Sequence, residues 1–151
     1  MANSQAMCTS FKGELLTGTH NFGTGVIRAS TTADTFKAAL YLTTATINAA
    51  TTAYTATGEV SGTGYTAGGV TVTNATAPTT SGTTAYWTPS ASISYTAVTL
   101  ATSFDCVLIY NSTQSNKAVS AHTFGAQTVT AGTFTLTMPT NDSSNALIRI
   151  A

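Results

Sequence analysis

Acid–base, nucleophilic or metal chemistry in this sequence would have to draw on two histidines, two cysteines and five carboxylates, set among many serine and threonine hydroxyls. His20 and His122 lie far apart in the chain. Neither stands in the strand-turn-helix context that presents a nucleophilic serine to a histidine. His122 alternates with Ala121 and Thr123 in an expected strand, the pattern of a hydrogen-bonded structural histidine. Glu14, Asp34, Glu59, Asp105 and Asp142 are scattered singly, so a carboxylate pair for glycoside hydrolysis would exist only if the fold assembled it. Asn141-Asp142-Ser143-Ser144-Asn145 is the one approach to a calcium loop, and it reads better as a polar turn before a last strand. The glycines of the run at 62–69, GTGYTAGG, have neither the spacing of a dinucleotide fingerprint nor the Lys-Ser or Lys-Thr of a phosphate loop. Cys8 and Cys106 belong to no CxxC and have no nearby histidine pair, which predicts two buried, unbridged thiols. No catalytic residue, cofactor site or metal-ligand set is therefore expected.

The charge pattern narrows the function classes further. Five Lys plus Arg balance five Asp plus Glu, 7% of 151 residues, where an ordinary soluble domain carries about a quarter. Zero net charge and so few cations exclude the electrostatic footprint of a nucleic-acid binder or a polybasic membrane binder. No apolar run approaches the roughly 20 residues of a spanning helix, and the N-terminus lacks the basic-then-apolar layout of a secretory signal. Folding in a cytoplasm is the expectation. On that reading the Asn-x-Ser/Thr matches at Asn74, Asn111 and Asn141 are accidents of a threonine-rich composition.

Those residues need elements to hold them, and the length suits one domain, 1–151. Met7, Phe11 and Leu15 recur at i, i+4 and i+8, which predicts an amphipathic helix over 4–17, capped by Asn3 or Ser4 and stopped at Gly18. After Gly18 the period becomes two. Strands are predicted at Phe36–Leu42, Gly69–Thr73, Ala85–Thr88, Ser92–Tyr95, Asp105–Tyr110, Lys117–Phe124, Thr133–Met138 and Ala146–Ile150. Asn111 to Asn116 should turn the chain so that Asp105–Tyr110 and Lys117–Phe124 pair as a hairpin. In Thr133–Met138, Phe134, Leu136 and Met138 face a core, while the threonines face water or a neighbouring subunit. Thr43–Gly58, nearly all Thr and Ala, fits a long surface loop or a weak helix, with the Thr content favouring the loop, and Ser61–Gly69 reads as a flexible or tightly turned connector. Many short strands across 35–151 with turn residues between them describe an all-β antiparallel sandwich, a jelly roll or a barrel.

The candidate core or interface residues are Met7, Phe11 and Leu15 on the helix, with Tyr86, Trp87 and Tyr95 among the strands. Tyr86-Trp87 beside Pro89, with Tyr95 close by, would suit a core or subunit anchor, another protein or a carbohydrate platform.

The segments MCTSFKGELLTGTHNF, FKAALYLTTATI, TTAYTATGEVSGTGYTAGG, VLIYNSTQSNKAV and AGTFTLTMPTNDSSNALIRIA, in that order, resemble a family of small tailed-phage virion proteins, known as structural, head-decoration or cement proteins. The resemblance spans nearly the whole chain, most weakly between Ala75 and Thr102. It implies a jelly-roll-like β-sandwich without catalysis on the outside of an icosahedral head. Its expected partners are the major capsid protein and further copies of itself, as a homo-dimer or homo-trimer. The N-terminal segment Met1–Phe11 and the loops 43–58 and 61–69 are the expected contact regions. A tail, neck or fibre component, a carbohydrate- or receptor-binding module, and a glycosidase-like enzyme are the alternatives.

Overall fold

The computed structural model describes residues 3–8, 11, 15, 19, 20, 22, 33–73 and 77–150. Among them the chain is all-β, with eight strands: β1 (Ala6–Met7), β2 (Phe36–Leu42), β3 (Val70–Thr71), β4 (Thr79–Ser81), β5 (Thr84–Trp87), β6 (Ile93–Asn111), β7 (Lys117–Leu136) and β8 (Ile148–Ile150). They form a five-stranded sheet in the order β1-β7-β6-β2-β3 and a three-stranded sheet in the order β4-β5-β8. Every pairing between these strands is antiparallel.

The expected hairpin is present and far longer than its sequence pattern announces. Asn111 pairs with Lys117, and Asn111 Oδ1 accepts the backbone N–H groups of Thr113 and Gln114, both at 3.1 Å. An Asn side chain that imitates a backbone turn in this way favours reversal over continued strand. Ser115 and Asn116 complete the turn at positive φ. From there β6 and β7 stay paired until Ile93 meets Leu136, through a series of register shifts. These bulges, with Ala97 and Ala131 at positive φ, bend the ribbon back on itself. Phe124 and Phe134 are ten residues apart on β7, which in a straight strand would separate them by about 33 Å. Their rings lie 5.3 Å apart, and both pack on Phe104. One hairpin thus supplies two layers. Its near half is the centre of the five-stranded sheet, while the far half (Ile93, Leu136) faces Val107, Ile109 and His122 across a small apolar cavity of about 130 Å³.

The second layer of contacts comes from aromatic side chains. Phe22 stacks on Phe36 of β2 at 4.8 Å and meets Trp87 of β5 at 4.9 Å, which joins the two sheets. Phe11 is fully buried beside His20 and Phe22.

The expected 4–17 helix needs correction at its start. Ala6 and Met7 are extended and pair with Ala121 and Ser120 of β7, so the open edge of the sheet outweighs the helical spacing of Met7. Phe11 and Leu15 have helical backbone, and the other residues from 9 to 18 lie outside the described ones. The segment 43–69 follows the surface of the sheet with only isolated bridges at Tyr41–Glu59, Ala53–Lys117 and Thr63–Thr99. At Gly69, φ is +70° and an added Cβ would lie 1.7 Å from the Ala38 carbonyl oxygen. Only glycine lets this connector press so close to β2.

Candidate functional site

Among the described residues, the polar clusters around Glu59, Asn111 and His122 are the candidate places for chemistry. The largest surrounds Glu59, which sits beside Tyr41 at the edge of β2. One carboxylate oxygen accepts the Tyr54 hydroxyl at 2.6 Å. The other accepts the Tyr65 hydroxyl at 2.7 Å and the Gly68 N–H at 2.8 Å. Tyr54 stacks on Tyr110 and Tyr65 on Tyr95. Tyr110 donates to the Gly68 carbonyl, Tyr95 to the Ala38 carbonyl and Tyr41 to the Thr55 carbonyl. Glu59 therefore ties two stacked tyrosine pairs to one point and fastens the loop 43–69 to the sheet.

Burial raises all five of these phenols, with the Glu59 charge adding to the effect. Tyr54 and Tyr110 move up to about 12, and Tyr41, Tyr65 and Tyr95 also shift upward. Phenols held protonated, around a carboxylate that already accepts three donors, offer neither a base nor a nucleophile. This is a structural clasp.

The second cluster lies by the hairpin turn. Asn111 is fully buried, and its amide donates to Asp34 at 2.8 Å and lies 3.1 Å from His20 Nδ1. Gln114 reaches the other Asp34 oxygen at 3.4 Å. Histidine, amide and carboxylate are in line, but the amide cannot relay a proton as an imidazole would. The array anchors the turn to residues 20 and 34.

In the third cluster, His122 Nε2 and Ser120 Oγ are 2.8 Å apart on one face of β7. Burial lowers His122 to about 4, so it is neutral at pH 7. Ser120 is 2% exposed, and among the described residues no carboxylate is hydrogen-bonded to the imidazole, so the pair as described lacks both substrate access and a third member. Among the described residues, no group of three His, Cys, Asp or Glu is placed to hold a metal ion. Asp142, the centre of the calcium-like stretch, accepts the Ser144 and Asn145 N–H groups and the Asn145 amide, which makes it the cap of a turn.

The candidate core and interface residues separate into three places. Phe11, Leu15, Tyr86 and Trp87 converge on one apolar cleft of about 170 Å³, completed by Ile148 and Ile150. Trp87 and Tyr95 are each 2% exposed, so neither presents a ring face on which a sugar could stack. Tyr95 is buried between Tyr65 and Phe134, away from the other five. Half-buried Met7 borders a polar groove with His122 and Arg149. Cys8 and Cys106 are both buried and unbridged, and burial pushes the Cys106 thiol up to about 12.

Sequence reasoning missed the Glu59 clasp, because Tyr54, Glu59 and Tyr65 carry no spacing that marks a shared site before the loop is folded. Among the described residues no helix is long and apolar enough to cross a membrane. Compared with protein-family models, curated proteins and solved structures, the chain matches none.

Proposed function

We propose that this chain is a non-catalytic bacteriophage decoration protein, a cement that binds the outside of the head and bridges major capsid subunits. On this reading it is made in the host cytoplasm, acts as a homo-oligomer on the virion and carries the jelly-roll-like sandwich that the sequence resemblance implies, with a short N-terminal helix through Phe11 and Leu15. The observation that carries the reading is the character of the outer strand: from Gly125 to Thr135 most residues are exposed, and none is charged. Such a surface gives little self-repulsion and packs β-branched methyl groups and hydroxyls against a neighbour. That suits a subunit held in a lattice better than a free monomer. The Glu59 and Asn111 clusters are spent on fastening a loop and a turn, which also favours a structural role.

A cement acts by mass action. Each contact made only in the assembled shell favours that shell, and several weak contacts engaged together reach useful strength. The test is to delete the gene or strip the protein, and then challenge the heads with heat or a chelator. Decorated heads should retain their genome under conditions that empty bare ones, and the protein should be present in hundreds of copies per particle. Equal retention by bare heads, or a few copies confined to the tail, refutes the proposal.

A further inference from the structure

The far end of β7 is a sheet edge that pairs with no outer strand among the described residues. Residues 6–8 and 52–53 cover β7 from Lys117 to Ala121, while β6 occupies the other side as far as Leu136. Edge strands are ordinarily guarded by a charge, a proline or a bulge. Here the sequence carries no charged residue from Ala118 to Asn141 and no proline before Pro139. Among the described residues the last positive φ is at Ala131, so β7 continues beyond the bend from Thr133 to Leu136, with Thr137 the first residue past its end. Along it Thr133, Thr135 and Thr137 are exposed, and Phe134 and Leu136 are half-buried against the core.

That pattern reads the same in both directions about Thr135. Laid antiparallel against the same edge of a second copy, Thr135 faces its equivalent, Thr133 faces Thr137, and Phe134 faces Leu136. Apolar then meets apolar, hydroxyl meets hydroxyl, and no charge meets a like charge. The other open edges lack this self-complementarity. β8 is three residues long with Arg149 at its centre, which would oppose itself, while β1 and β3 have two residues each and β4 has three.

We infer that two copies of this chain pair through the Thr133–Thr137 edge about a two-fold axis at Thr135, which extends the sheet across the dimer. The inference rests on the homo-oligomeric part of the decoration reading and specifies its interface. Pairing would satisfy the outward backbone groups of the edge and complete the burial of Phe134 and Leu136.

The test uses the purified full-length chain in sedimentation velocity, with two exposed positions replaced in turn. Wild type should sediment as a dimer. Thr135→Lys, which sets two ammonium groups against each other on the axis, should be a folded monomer that still melts cooperatively, at a temperature that no longer rises with protein concentration as that of the wild-type dimer does. Thr135→Cys should form a covalent dimer under mild oxidation, since directly opposed Cβ atoms lie about 4.5–5.5 Å apart. Thr80→Cys on β4, the control, should not. A monomeric or trimeric wild type, a dimer that survives Thr135→Lys, or crosslinking as fast at Thr80 as at Thr135 would overturn the interface. Head binding by the wild-type chain distinguishes the two readings: a wild-type dimer with no affinity for heads retains the interface and removes the decoration role, whereas a wild-type monomer that binds heads does the reverse.

Discussion

His122 gives the fold a measurable acid sensitivity. Its imidazole is bordered by Val107, Ile109, Ile93 and Phe124 on one side, and by a groove containing Arg149 on the other. Burial lowers it from 6.5 to about 4. In the unfolded chain it takes a proton near 6.5, whereas the folded chain resists until about pH 4. Stability is therefore full above about pH 6.5, falls as the unfolded state is protonated, and stops falling once the folded state also titrates. At pH 5 this difference amounts to about 2 kcal/mol, rising to about 3 kcal/mol below pH 4 at 1.36 kcal/mol per pKa unit. For a domain of this size, about 2 kcal/mol corresponds to a fall in melting temperature of roughly 4–8 °C. Urea unfolding at pH 7.5 and pH 5, for wild type and His122→Gln, isolates the histidine from the carboxylates common to both. Wild type should lose about 2 kcal/mol more than the variant over that interval. Equal losses in the two proteins would refute the reasoning.

The remaining predictions concern the core and the clasp. Phe11→Ala removes a fully buried ring and should cost roughly 3–5 kcal/mol in chemical denaturation. Glu59→Gln keeps the shape but replaces an acceptor of three donors with a group that itself donates. A loss of about 1.5–3 kcal/mol should appear together with faster hydrogen exchange across 43–69, and unchanged exchange there would show the clasp to be idle. In the native state both cysteines should resist a maleimide, and both should react after denaturation without reductant; a denatured protein that stays unmodified would indicate a disulfide.

How much of this was legible in the sequence depended on how local the cause was. β2 falls on the predicted residues Phe36–Leu42, because an alternating apolar face is a property of the strand alone. The turn after Asn111 was legible for the same reason. β6 and β7 are not, since the sequence pattern of each predicts separate short strands. Their alternation breaks at the bulges, and a register shift moves the apolar face to the other side just where continuity would have been recognised. Met7 shows the opposite failure. Its helical spacing to Phe11 and Leu15 is real, but the edge of β7 at Ser120 and Ala121 wins its backbone. The placement of Trp87 and Tyr95 in the interior required knowing that Phe22 and Phe134 arrive there from distant parts of the chain.

The doubled-back hairpin also dictates an order of assembly. The pair Asn111–Lys117 encloses five residues, whereas Ile93–Leu136 encloses 42. Closing the larger loop without help costs about 2 kcal/mol more in chain entropy, from (3/2)RT ln n. Zippering outward from the Asn111 turn avoids most of that cost, because each new pair closes only a short additional segment. The far half can fold over only after the near half exists to receive it. Until then Phe104, Phe124 and Phe134 are exposed to solvent together, and the interval before the ribbon bends is when this chain is most exposed to association through the wrong surface.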